Sequence, residues 1–314
     1  MPPIRQRFSF PVTSDSIDRP RKATRADRIP LGIFYMLTAT VLFAGSSALS
    51  KWQVASYSFI DVLFLRSLSA LVVCSLLILP RTGLDVFRTH RLRDHVGRNI
   101  TQGAAQACIV IAFGLMPLAG AVAINFAAPL VATVAAALLF KEKVGFVRWS
   151  VLLVGFFGVL VVASPGADSF RIGALFAIAN AVMYGSIIAA VRGMTATEST
   201  ETLTMYQMVI LIVLFGLMLP FGFTMPTMHD GLVMLANGVL YGLGQYIWTR
   251  AMSLAPTSAV GPFYYFSLVW AIAIGFVFWG DDPTLPLLAG SAVVVGSGLF
   301  LLWHESGKKP LPAA

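Results

Sequence analysis

The chain has 314 residues, and only 11% of them are charged, against about 25% in a typical soluble domain. Apolar types supply 57%, mean hydropathy is +0.81, and the formal net charge is +8. A soluble fold of this size cannot cover its surface with so few charges. The composition therefore excludes a soluble globular enzyme, a disordered chain and a fibrous repeat.

Residues 1–30 carry Arg5, Arg7, Arg19, Arg21, Lys22, Arg25 and Arg28 against Asp15, Asp18 and Asp27, with no apolar run. This predicts a disordered basic cytoplasmic tail, not a cleavable signal peptide, which needs an apolar core of about 7–15 residues. Arg21–Arg28 suits an anionic leaflet; a nucleic-acid partner is the disfavoured alternative. Ten apolar runs follow, at 31–50, 59–79, 98–117, 119–140, 145–164, 171–191, 203–220, 231–249, 257–279 and 285–303. Each is close to the length needed to cross a hydrocarbon core of about 30 Å as a helix. Backbone in lipid must be hydrogen-bonded internally, and the alternating strands of a barrel are absent, so the runs are predicted as helices. Residues 305–314 form a short second tail.

The basic residues orient these spans. With the N-terminus in the cytoplasm, the inner loops and tails collect every Lys and Arg except Lys51, Arg66 and Arg171. Moving the span count by one destroys that asymmetry, so ten spans with both termini inside are expected. The halves also repeat. A shift of 141 lays Gly32 on Gly173, Val41 on Val182 and Ala48 on Ala189. A shift of 138 lays Asn99 on Asn237, Leu130-Val131 on Leu268-Val269 and Phe140 on Phe278. Two repeats of five spans, 31–164 and 165–304, must be inverted relative to each other because five is odd. Inverted repeats are a common transporter architecture, with a site near the midplane.

Several stretches carry a family resemblance: Phe64-Leu65-Arg66-Ser67, Leu115–Val122 (LMPLAGAV), Phe140-Lys141-Glu142-Lys143, Glu198-Ser199-Thr200, Leu243–Pro256 (LGQYIWTRAMSLAP) and Phe278-Trp279-Gly280-Asp281. Over residues 31–303 the chain resembles the drug/metabolite transporter superfamily, and within it the EamA family of ten-helix carriers. The second half usually closes its fourth span with Gly-Glu; here Gly280-Asp281 stands there. The resemblance implies a secondary transporter of the cytoplasmic (inner) membrane that moves a small organic metabolite by alternating access. S-adenosylmethionine, riboflavin and amino acids are among the substrates it implies. An intramembrane enzyme and a non-transporting membrane scaffold are the alternatives.

Candidate site residues are polar groups inside spans, where exposure to lipid is costly. Arg66 is the only charge deep in a span. It is a candidate clamp for a substrate carboxylate or phosphate, or a structural clamp on carbonyls or on Asp61, Glu142 or Asp281. Asp61, two residues into its span, is expected at the interface. Asn99, Gln102 and Gln106 share one helical face, as do Asn237, Tyr241, Gln245 and Trp248. Such faces are either a cavity wall or hydrogen-bonded helix contacts. Asn125, Asn180, Tyr184, Tyr264, Tyr265, Ser267 and Trp270 extend the set, and adjacent Tyr264 and Tyr265 cannot both face one cavity. The expected substrate-binding residues are Arg66, Gln106, Tyr184, Tyr241, Gln245, Tyr265 and Trp270.

No zinc-protease motif, metal-spaced Cys/His cluster or phosphate loop occurs, so no cofactor, metal or ATP-driven pumping is expected. No carboxylate lies mid-span, which favours facilitated diffusion or exchange, with Asp61 and Glu142 the first residues to examine for coupling. The expected partners are the lipid bilayer and a small-molecule metabolite. The oligomeric state stays open, a homodimer included.

Overall fold

A computed structural model describes residues 29–128, 130–131, 146–163, 168–194, 197–254, 260 and 263–306. Among these residues all regular structure is helical. In chain order the α-helices are α1 (Ile29–Val54), α2 (Phe59–Thr82), α3 (Leu92–Leu115), α4 (Leu118–Asn125), α5 (Phe146–Ala163), α6 (Asp168–Met194), α7 (Thr200–Met218), α8 (Met228–Leu254), α9 (Phe266–Trp279) and α10 (Leu285–Ser306). Helix therefore occupies part or all of each expected span. The 8-residue α4 reaches only about 12 Å and cannot cross a bilayer alone. Residues 1–28 and 307–314 of the tails, and Glu142, lie outside the described residues.

Local chemistry sets several boundaries. Ser58 caps α2 by accepting the Asp61 amide at 3.3 Å, and Ser199 caps α7 by accepting the Thr202 amide at 3.0 Å. Gly83 ends α2 at φ 59°, and Gly280 ends α9 at φ 63°, a backbone region that glycine enters without a Cβ penalty.

The exterior is strongly apolar, and several polar side chains are buried beside an apolar core. Phe34, Leu76, Leu153, Phe157, Leu175, Leu217, Val277 and Phe278 are each more than 60% exposed, while Gln53, Arg66, Asn99, Gln106, Asn180, Gln207 and Asn237 are buried. Water would penalise that exterior, whereas lipid suits it. Among the described residues, four helical stretches are long and apolar enough to cross a membrane: Ile29–Val54, Phe59–Phe87, Arg171–Ile188 and Thr200–Phe221. At 24 and 27 residues α3 and α8 are also long enough, at about 36 and 40 Å, but their buried amides lower their hydropathy. The protein is a multi-pass membrane protein.

The helix pairings follow a pattern. Among the most extensive contacts are α1 with α8 and α3 with α6; α2 with α8 and α3 with α7; α1 with α9 and α4 with α6. Each couple interconverts when every helix is replaced by the one five places along. Of the other large pairings, α2 with α7, α4 with α9 and α5 with α10 map onto themselves, while α1 with α3 has no counterpart of similar extent.

Close helix contact rests on small residues. A Cβ added to Gly238 of α8 would lie 2.3 Å from the Arg66 carbonyl oxygen and 2.6 Å from Ser69 Cβ, and one on Gly242 would lie 3.0 Å from Ala70 Cα. The two glycines, one turn apart, let the α2 and α8 backbones touch. Gly158 and Gly290 do the same for α5 and α10.

Candidate functional site

The α2–α8 contact brings Arg66 against Tyr241. The guanidinium lies over the tyrosine ring, 4.5 Å from its centroid, and one of its terminal nitrogens donates to Gln106 Oε1. Gln106 Nε2 donates to the Tyr241 hydroxyl at 2.9 Å, and Gln207 Nε2 on α7 donates to the same oxygen at 3.2 Å. Gln207 Oε1 in turn accepts from Arg98 at 3.0 Å. Arg66, Gln106, Tyr241, Gln207 and Arg98 thus form one hydrogen-bonded relay across α2, α3, α8 and α7. Gln106 lies eleven residues from His95 and ten from Met116, which places the relay's centre about midway between those two residues.

The energetics of Arg66 are unusual. Removing a cation from water costs several kcal/mol after relaxation. A desolvated cation–π contact returns about 2 kcal/mol and one charged hydrogen bond about 1.5–3. Arg66 Nε remains buried without a partner, and among the described residues no carboxylate pairs with this guanidinium.

Other expected site residues divide. Tyr184 on α6 is half-buried within electrostatic reach of Arg98, Tyr241 and Tyr264. Gln245 stands one turn beyond Tyr241 on α8 and is half-buried. Tyr265 is set apart: it is 7% exposed, its ring packs 4.8 Å from that of Phe126, and its hydroxyl points at Gly298, where a Cβ would lie 1.7 Å away. Its neighbour Tyr264 packs edge-on against the same Phe126 ring, 5.8 Å between centroids, and lies within electrostatic reach of Tyr184 and Tyr241. Trp270 is 36% exposed and donates through Nε1 to Thr40 Oγ1 at 3.2 Å, tying α9 to α1.

Other polar groups are helix ties. Asn237 accepts from Ser46 at 2.6 Å and donates to Ser50 and Gln53 at 2.9 Å each, joining α8 to α1. Asn180 donates to Asn125 at 2.6 Å, joining α6 to α4. Asp61, in the first turn of α2, is fully buried within the protein, and one of its carboxylate oxygens accepts the Ser58 hydroxyl at 3.0 Å.

Clusters of polar and charged side chains lie at both ends of the bundle. At one end Lys51 of α1 donates to the Met116 carbonyl at 3.1 Å and to Asp281 at 3.3 Å, with its ammonium 5.3 Å from the Trp279 ring centroid. Nearby, Tyr57 donates to Asp230 at 2.6 Å; this bond and those from Thr227 and His229 hold the Asp230 carboxyl below its usual range. At the other end Thr89 donates to Glu198 at 2.7 Å, His95 Nε2 lies 3.7 Å from the same carboxylate, and His95 stacks on Tyr206 at 4.4 Å. The α3 helix runs about 30 Å from His95 to Met116, connecting the two clusters. The surface grooves along Leu71–Pro80 and between α5 and α10 are apolar and broadly open, and belong to the lipid-facing belt.

Sequence reasoning missed Arg98 and Gln207. Arg98 counts as a loop charge, yet it lies in α3 and reaches into the bundle. The available signal was spacing: Arg98, Gln102 and Gln106 recur every four residues, and Gln207 is a lone amide in an apolar run.

With that geometry established, the chain matches the EamA-like transporter family over residues 30–164 and again over 171–303. It belongs to that family. It is 27% identical over 294 residues to a riboflavin transporter of Rhizobium johnstonii, covering 93% of this chain and 97% of that one. It is 21% identical to an S-adenosylmethionine uptake transporter of Rickettsia bellii, covering 88% and 94% respectively. It is 24% identical to the pseudopaline exporter CntI of Pseudomonas aeruginosa, covering 90% and 99%. A solved crystal structure shares the fold with a TM-score of 0.64 at 20% identity, covering 89% of this chain and 99% of that one. The protein is a membrane transporter of small metabolites.

Proposed function

We propose that the protein is a secondary transporter of the cytoplasmic (inner) membrane, working by alternating access between two inverted five-helix halves. The halves are 31–164 and 165–304, with both termini in the cytoplasm. The observation that carries this reading is the Arg66–Gln106–Tyr241–Gln207–Arg98 relay, centred about midway between His95 and Met116. It is built from α2 and α3 together with α7 and α8, the helices five places along. The exchange pattern of helix pairings supports a two-fold relation between the halves. In this reading Arg66, Gln106, Tyr184, Tyr241 and Gln245 face the substrate, and Tyr265 and Trp270 border the same helices. The Lys51–Asp281 cluster closes the outer end and the His95–Glu198 cluster the inner end, and the two open in turn.

The cargo is a small organic metabolite, moved by facilitated diffusion or exchange. The protein acts as a carrier, not as an enzyme. Purified full-length protein in liposomes, assayed against a metabolite panel with and without a pH gradient, tests this. Arg66→Ala and Gln245→Ala should each lower the uptake rate far more than expression. Normal transport by both variants would mean that the site lies elsewhere.

A further inference from the structure

The relay has a direction. A guanidinium has only donors, so the glutamine beside each arginine must present its oxygen there. The amide nitrogens then turn to Tyr241, whose oxygen receives both. The glutamine oxygens are thereby taken up, and the unspent groups are donors: Arg66 Nε, Arg98 Nε and the Tyr241 hydroxyl hydrogen.

Charge points the same way. Among the described residues, the ion pairs involve Lys51, Arg88, Arg91, His95 and His229, and none involves Arg66 or Arg98. Asn99, beside Arg98 and on one helical face with Gln102 and Gln106, is fully buried with neither amide atom partnered. A low-dielectric interior with two uncompensated cations and surplus donors is complementary to an acceptor-rich anion.

We propose that Arg66 and Arg98 are two stations for the anionic oxygens of the transported metabolite, which carries a carboxylate or phosphate-type group. This rests on the transport-site reading above and narrows its substrate class. The stations lie at different depths. Arg66 is held at the level of Gln106, and Arg98 is eight residues nearer the His95 end of α3, about 12 Å along the helix. Arg98 is half-buried and Arg66 buried, so an anion arriving from the His95 end meets Arg98 first.

The test uses full-length protein in liposomes and matched pairs differing by one anionic group: riboflavin and riboflavin 5′-phosphate, uridine and uridine 5′-monophosphate, glutamine and glutamate. The expected result is uptake of an anionic member. Arg66→Gln and Arg98→Gln should each lower its initial rate about tenfold or more, and Arg98→Lys should recover most of it. Uptake confined to neutral members, unchanged in Arg98→Gln, overturns the anion stations and leaves the carrier standing. A second readout works on wild-type protein in detergent. Inorganic phosphate should raise the melting temperature relative to chloride at equal ionic strength, and Arg98→Gln should abolish that rise. No phosphate-dependent rise in the wild type overturns the stations even if the glutamine variant does not fold. If none of these compounds is taken up, the phosphate shift decides the stations.

Discussion

Tyr241 is the residue on which the site turns. Its ring faces the Arg66 cation, and its oxygen receives two amide donors. Tyr241→Phe keeps the ring but strands both amides in a buried place, so uptake should drop about tenfold while detergent-extracted yield stays near wild type. His95 governs one end. It lies outside the predicted span, and burial holds its imidazole below the ordinary range, outweighing the opposing pull of Glu198. A lowered histidine pKa means that the folded state prefers the neutral ring. Its contribution to stability is full above the ordinary value of about 6.5 and is lost as pH falls toward the lowered folded value. The melting temperature should therefore decline as pH drops below about 6.5, and His95→Gln should flatten that decline.

At the scale of elements, the site depends on how closely α2 and α8 approach. Gly238→Ala would push a Cβ into the Arg66 carbonyl, forcing the helices apart. A loss of about 1–3 kcal/mol is expected in detergent melts, with impaired uptake because the Arg66–Tyr241 stack opens. Gly97→Ala is the contrast. Nothing lies within 4 Å of its added Cβ, and alanine is the better helix former by up to about 1 kcal/mol. Equal effects of the two substitutions would show that close packing at Gly238 is not what matters. Much of the element level was legible in the sequence. The apolar runs and the polar faces of α3 and α8 follow from composition and helical period. Two faces with the same polar pattern nevertheless have different fates: Asn237 is saturated by Ser46, Ser50 and Gln53, while Gln106 joins the arginine relay. Periodicity specifies a face, and only the facing helix decides its chemistry.

For the whole molecule, the alternating-access proposal makes the two terminal clusters what must open. Lys51→Gln removes the cation that ties α1 to Asp281 and to the end of α3. The balance should move toward a state open at that end. A cysteine at Gln245, with Cys74 and Cys108 replaced, should react faster with a membrane-impermeant maleimide added from that side. Unchanged labelling would assign Lys51 a purely local role.

By itself the sequence determined that the chain crosses a membrane as apolar helices and that it resembles a carrier family. Those properties depend on transfer free energy and helical period, which act along the chain. It also singled out Arg66, Gln106 and Tyr241, because buried polarity in lipid is costly wherever it occurs. Tertiary structure alone decided that Arg98 and Gln207 complete the relay, that Tyr265 packs between Phe126 and Gly298, and that Asp61 is fully buried beside the capping Ser58. Each of these depends on which residues from distant helices meet, and helix–helix distance is set by small residues such as Gly238 and Gly298 whose partners no local pattern names.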